Sequence, residues 1–323
     1  MTSAGTPALW SLFAVLVLAS LALDLGLHRK QDRDPSPREA LLWALAWVGL
    51  ALAFGAGVSP LVGGVATLDY FTAWLLEKAL SVDNLFVFIV LFGFFKIPAE
   101  LQRRVLFWGI LGALAMRALF IFLGVALLSR FHFLFYVFGA FLVYSGAKLL
   151  LAKGEEVEPQ KNFAYRLFTR FFRISDDISG GHFFVVEGGR RTPTRLLLVL
   201  VVVETTDVLF AVDSIPAVLA VTTDPFVVYT SNIFAILGLR ALYFLLSGWM
   251  ARFRYLDVGL AFVLAFIGVK MVVATAGWLK LPAAISLGVV ALLLVVTIAA
   301  SLLADARERR ERGAERPPGP ARR

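Results

Sequence analysis

Three carboxylates stand where a membrane chain has least room for them. Glu204, Asp207 and Asp213 fall in ETTDVLFAVDS (204–214), between the apolar stretches RLLLVLVVV and IPAVLAV. An acid at the centre of a bilayer costs about 2.5–3.5 kcal/mol even on insertion scales. Four more acids lie in apolar runs: Asp24, Asp69, Glu77 and Asp83. The cations in the same runs are Lys78, Arg117, Arg240 and Lys270, with Lys148 nearer a run's end. If those four each took one acid, three acids would be left over. They must carry protons, face water or bind a cation. Structural ion pairing alone does not account for the number.

The groups available to such a cation are oxygens. Ser81, Asn84, Thr205, Thr206, Ser214, Ser231 and Asn232 accompany the carboxylates. The chain has no cysteine, and His28, His132 and His182 are scattered. Hard oxygen donors without sulfur or imidazole favour Mg²⁺, Ca²⁺ or Mn²⁺ over Zn²⁺ or Cu⁺. The candidate ligands are Glu77, Asp83, Asn84, Glu204, Asp207 and Asp213. Asp24 and Asp69 lie near the ends of their runs and read as interfacial acids. Pro216 removes a helical donor, so the backbone near Asp213 is expected to bend and to free the carbonyl of Val212. With no H-E-x-x-H, no G-x-S-x-G and no thiol, the chain is expected not to be an enzyme and to hold no permanent cofactor.

The elements that must position these groups are membrane helices. Of the 323 residues, 59% are hydrophobic and 17% charged, with a mean hydropathy of +0.82. That composition predicts an all-α polytopic membrane protein. Apolar runs able to cross about 30 Å of hydrocarbon fall at 8–27, 40–58, 67–95, 104–125, 131–151, 195–221, 226–250, 257–276 and 281–303, which makes nine transmembrane helices. Lys and Arg in the loops and tail, counted with Arg104 and Arg195 at the first residues of their runs, divide twenty-four to two, with only Arg130 and Lys280 on the minority side. By the positive-inside rule the N-terminus is outside and the C-terminus cytoplasmic. The net charge of +8 is thereby assigned to the membrane surface rather than to nucleic acid. In the first run Arg29 and Lys30 follow the apolar stretch, the reverse of a signal peptide, so it reads as an anchor.

The transmembrane domain is thus 8–303, with a cytoplasmic loop at 152–194 and a tail at 304–323. In the loop, NFAYRLFTRFFRI (162–174) repeats Phe163, Leu167, Phe171 and Ile174 at helical spacing, with Arg166, Arg170 and Arg173 between them. It predicts a basic helix lying on the inner leaflet or packed on the cytoplasmic face of the bundle. GGHFFVVEGG (180–189) predicts a strand or hairpin. Thr192 and Pro193 suit an N-cap and first helical position. The Pro-containing tail, ADARERRERGAERPPGPARR, reads as disordered.

The acidic stretch has an echo. EKALSVDN (77–84) and DVLFAVDS (207–214) share an acid, five residues and an Asp followed by Asn or Ser. ILGALAMRALF (110–120) parallels ILGLRALYF (236–244), and GAKLL (146–150) parallels GVKMV (268–272). Spans 3–5 therefore match spans 6–8 in order and in opposite orientation, an inverted three-helix repeat of the kind that places a site near the midplane. Six residues rise about 9 Å along a helix. Inversion would set Glu77 level with Asp213, and Asp83 level with Asp207, as two stacked carboxylate stations.

At these residues the sequence resembles the TerC family of integral membrane proteins. The likeness is carried by LLEKALSVDNLFVF (75–88), VLFWGILGALAMRALFI (105–121), VETTDVLFAVDSIPAV (203–218) and TSNIFAILGLRALYF (230–244). It implies an association with tellurite resistance and, for several members, manganese export. The family's intramembrane acids map to Glu77, Asp83, Glu204, Asp207 and Asp213. The expectation is a transporter of the cell inner membrane that exports a divalent cation, Mn²⁺ first among candidates. Glu204 or a neighbour would alternate between proton and metal, and Lys78, Arg117 and Arg240 would hold the empty site. The rival expectation is a non-transporting membrane scaffold linked to tellurite or envelope stress, with partners docking on 152–194. The expected partners are the cation and the lipid bilayer, and a homo-oligomer stays open.

Overall fold

The structure is a computed structural model and describes residues 3–28, 36–151, 160, 162–178, 180–246 and 255–314. Eleven helices and one hairpin follow in order: α1 (Pro7–His28), α2 (Pro37–Val62), α3 (Gly64–Phe94), α4 (Ala99–Arg130), α5 (Leu134–Leu151), α6 (Phe163–Phe171), β1 (Phe184–Glu187), β2 (Arg190–Pro193), α7 (Arg195–Leu219), α8 (Pro225–Ile236), α9 (Leu239–Leu246), α10 (Leu256–Thr275) and α11 (Ala283–Ala314). Among the described residues, each of the nine apolar runs falls on helix, the run at 226–250 on two. Among the described residues, six helical segments are long and apolar enough to cross a membrane: α2, α4, α5, α8 with α9, α10 and α11. In α1 the described apolar stretch is shorter. The long helices α3 and α7 carry the interrupting charges. The chain is an all-α polytopic membrane protein.

The two acid-bearing helices are the centre of the bundle. α3 gives buried side chains to every one of its four hydrophobic clusters, from Tyr70 and Trp74 to Phe88 and Phe92. α7 packs directly on α3 and α4, and buries Leu196, Val199, Val203, Ala211 and Ile215. A carboxylate on the inner face of either helix is therefore enclosed by protein and kept from lipid.

α5 and α10 approach most closely where side chains vanish. A methyl built on Gly146 would come within 2.6 Å of the Ala261 carbonyl, and one on Gly268 within 2.6 Å of the Gly139 carbonyl. Only glycine lets the two backbones meet there. Asp224 caps α8 by accepting from the amides of Phe226 (2.9 Å) and Val227 (3.2 Å). Its second oxygen takes the Ala4 amide at 2.5 Å, which ties down the N-terminal segment.

Several local expectations change. The run at 226–250 is not one helix: α8 stops at Ile236 and α9 starts at Leu239, with Gly238 at φ +82. Relative to ILGALAMR, the segment ILGLR has three fewer residues between Gly and Arg, and the break takes up the difference. α7 starts two residues later than Thr192 and Pro193 suggest, because Pro193 ends β2 and Thr194 is the N-cap. GGHFFVVEGG does form half a hairpin, turning at Gly188 and Gly189, both at positive φ as a two-residue primed turn requires. Helix α11 continues into the segment read as a disordered tail, as far as Ala314. ADARERRERGA is rich in Ala, Arg and Glu, all strong helix formers. Residues 315–323 lie outside the described residues.

α6 takes the packed alternative and keeps features of the interfacial one. Asn162 caps it by accepting from the amides of Ala164 and Tyr165. Ala164 is buried, and Tyr165 and Phe168 lie on the cluster formed by α3, α4 and α7. Of the predicted stripe, Phe163, Leu167 and Phe171 face outward, 72%, 44% and 69% exposed, while Ile174, just past the helix, joins the packed cluster.

Candidate functional site

Arg117 of α4 organises the centre. Its guanidinium is 1% exposed and its Nη1 donates both to Glu77 of α3 and, at 3.1 Å, to the side-chain oxygen of Asn232 on α8. Its Nη2 lies 3.7 Å from Asp207 of α7. Four helices thus meet on one cation. Burial of a charge this deep is tolerable only with such partners, and the planar fork of Arg suits a carboxylate on each side.

The cluster is over-supplied with negative charge. Two carboxylates share one guanidinium, and the Glu77 Oε2, Asp207 Oδ2 and Ser81 hydroxyl oxygens have no hydrogen-bond partner among the described residues. Glu77, Ser81 and Asn84 stand at helical spacing on one face of α3, all buried. Glu204, one turn before Asp207, lays its carboxylate against Gly112 of α4, where a side chain would occupy the same space. Asp207 also borders an enclosed cavity of about 20 Å³, otherwise lined by Leu85, Phe88, Gly109, Val203 and other apolar groups. That is room for about one water molecule.

Some sequence-level expectations land elsewhere. Glu77 and Asp207 meet at the same guanidinium, whereas the expected stacking of Glu77 with Asp213, and of Asp83 with Asp207, falls on two side chains outside the described residues. The side chains of Asp24, Asp83 and Asp213 lie outside the described residues. Asp83 and Asp213 follow Glu77 and Asp207 by six residues, about 120° around their helices. Among the described residues no three His, Asp or Glu groups stand together as a metal site, and Glu77 and Asp207 are bridged by Arg117. Of the other expected cations, Lys78 turns away to the Ala235 carbonyl at 3.0 Å. Arg240 is buried in α9, and Lys270, which was not expected to hold the site, is within electrostatic reach of Asp69. Pro216 lies inside α7, which runs unbroken through it.

Residues 62–309 match the Integral membrane protein TerC family. The chain belongs to the TerC family. The TerC match spans the whole cluster, from Glu77 to Asn232. Among similar proteins, the uncharacterized membrane protein STKORF319 of Myxococcus xanthus is 52% identical over 301 residues, 93% of this chain and 94% of that one. Alx of Escherichia coli K12, provisionally named a membrane-bound redox modulator, is 45% identical over 322 residues, 97% of this chain and all of that one. An uncharacterized membrane protein of Rickettsia bellii is 38% identical over 294 residues, covering 91% and 97%. No solved structure matches.

Proposed function

We propose that this TerC protein exports a divalent metal cation, with Mn²⁺ the first candidate, across the cell inner membrane. The site is built from Glu77, Asp83, Asn84, Glu204, Asp207 and Asp213. The observation that carries the reading is the pair Glu77 and Asp207, buried on facing helices with one shared guanidinium and an oxygen of each unpartnered. The charge left over is what a hard cation needs. In the empty state Arg117 is the counter-ion. A divalent cation takes its place by drawing the two carboxylates together as the guanidinium withdraws. The chain acts as a transporter rather than an enzyme, with the metal as cargo, no bound cofactor and no nucleic-acid partner.

The same reading has nine spans, an outside N-terminus, a cytoplasmic C-terminus and two inverted units, spans 3–5 and 6–8. Packing supports the inversion. α3 lies on α8 while α4 lies on α7, and α5 lies on α10, the reciprocal pattern a two-fold relation produces. The glycine contacts repeat it in detail. Gly146 meets Ala261, and Gly268 meets Gly139; within the GAKLL/GVKMV register these are the same contact seen from each side.

The redox label of Alx suggests a second reading. A chain without cysteine has no thiol to exchange, so an influence on redox state would have to run through another species, such as a redox-active cation whose level it sets. Complementation separates transport from a scaffold role. In manganese-stressed cells lacking their own exporter, the chain should restore growth. Asp83→Asn and Asp213→Asn should insert normally and fail to restore it. Growth restored by both variants would remove the metal-site reading.

A further inference from the structure

Lys78 follows Glu77 directly, and successive side chains on a helix diverge by about 100°. Glu77 therefore reaches α4 while Lys78 leaves α3 toward α8. Its ammonium donates to the Ala235 carbonyl at 3.0 Å. In a continuous helix that carbonyl would accept the amide of residue 239. The break at Leu237 and Gly238 takes the amide away. What remains is the C-terminal end of a half-helix inside the protein, with freed carbonyls and the negative end of its dipole. Ends of broken helices are the places where membrane proteins coordinate cations.

The break is built to persist. Gly238 sits at φ +82, a conformation L side chains rarely adopt. The indole of Trp47 on α2 lies against it, so that a methyl there would come within 2.6 Å of the ring. Lys78 holds the same break from the opposite chain segment. Ile236 and Leu239, which flank the break, line the cavity that Asp207 also borders. The hinge and the carboxylate cluster are thus neighbours, joined through two consecutive residues of α3.

We propose that the C-terminal end of α8 is a cation site, that the Lys78 ammonium is its tethered occupant, and that Lys78 links the carboxylate cluster to the broken helix. Lys78 is a positioning residue. Displacement of α3 when Glu77 takes a cation carries Lys78 along and loosens its hold on α8, which frees α9 to move. That link rests on the transport reading. The cation site itself does not. With the lysine removed, a small ammonium or K⁺ fits the same carbonyls.

The test uses the full chain purified in detergent, with thermal unfolding followed for wild type, Lys78→Ala and Lys78→Gln. Lys78→Ala should melt several degrees lower and recover most of the loss as methylammonium or K⁺ is raised. Tetramethylammonium, whose four methyl groups keep its charge from the carbonyl oxygens, should give no recovery, and wild type should respond to none of them beyond the salt control. Lys78→Gln, which keeps a donor without charge, should stay below wild type. A folded Lys78→Ala indifferent to methylammonium and K⁺, or a Gln variant as stable as wild type, overturns the proposal. Should Lys78→Ala not accumulate, Lys78→Met keeps the apolar stem. Hydrogen exchange in its residues 236–241 should then be faster than in wild type, and equal exchange overturns the proposal as well. Mn²⁺ flux on the same preparations keeps the readings distinct: methylammonium rescue without any wild-type flux removes transport and leaves the cation site.

Discussion

At the scale of the residue, Arg117 decides whether the centre holds. Substituting Met removes the one charge that Glu77 and Asp207 share and leaves two buried carboxylates facing each other. Breaking a buried pair from one side costs about 3–5 kcal/mol, and equilibrium denaturation in mixed micelles should show a loss of that order for Arg117→Met. Arg117→Lys should also be destabilised, since one ammonium cannot span Glu77, Asn232 and Asp207 as the fork does. A wild-type midpoint for Arg117→Met would mean that the acids are already neutral without it. The acids were legible in the sequence because each violates hydropathy at a cost large enough to demand an explanation. Arg117 was legible as one of their counter-ions, but not which acids it would join. The meeting of Glu77 with Asp207 depends on where two helices cross, and the target of Lys78 depends on a break fixed by Trp47, nearly two hundred residues from Gly238.

At the scale of the element, the glycine contact between α5 and α10 gives the repeat a direct test. Gly146→Val and Gly268→Val each drive a side chain into a facing carbonyl, and overpacking of this kind costs about 1–3 kcal/mol. If the units are related by a two-fold axis, the two variants should lose similar stability in the same assay. Unequal losses, with one glycine tolerant, would make the likeness of GAKLL and GVKMV incidental. The helices themselves were legible from apolar length alone. The split of α8 from α9 was not, because ILGLRALYF is as apolar as a continuous helix and only its missing three residues hinted at the break. For α6 the sequence left two placements open for a related reason: periodicity shows that a face is apolar, not whether protein or lipid covers it.

At the scale of the whole molecule, the proposed topology rests on the distribution of Lys and Arg. Single cysteines introduced into this Cys-free chain should react with an impermeant thiol reagent in intact cells at Gly57 or Val65, and at 152–194 only after the membrane is opened. Labelling of the 152–194 loop in intact cells would invert the assignment and with it the direction of export. The central claim is that the Glu77–Arg117–Asp207 cluster holds a divalent cation in transit. Its most direct test is Mn²⁺ flux into or out of vesicles reconstituted with the purified chain, compared with Asp207→Asn in the same lipid and at equal protein content. The account predicts Mn²⁺ flux for wild type, competition by other hard divalent cations, and flux at the protein-free level for Asp207→Asn. Wild-type flux in the Asp207→Asn vesicles, or none in the wild type for Mn²⁺, Ca²⁺, Mg²⁺ or Zn²⁺, would contradict it.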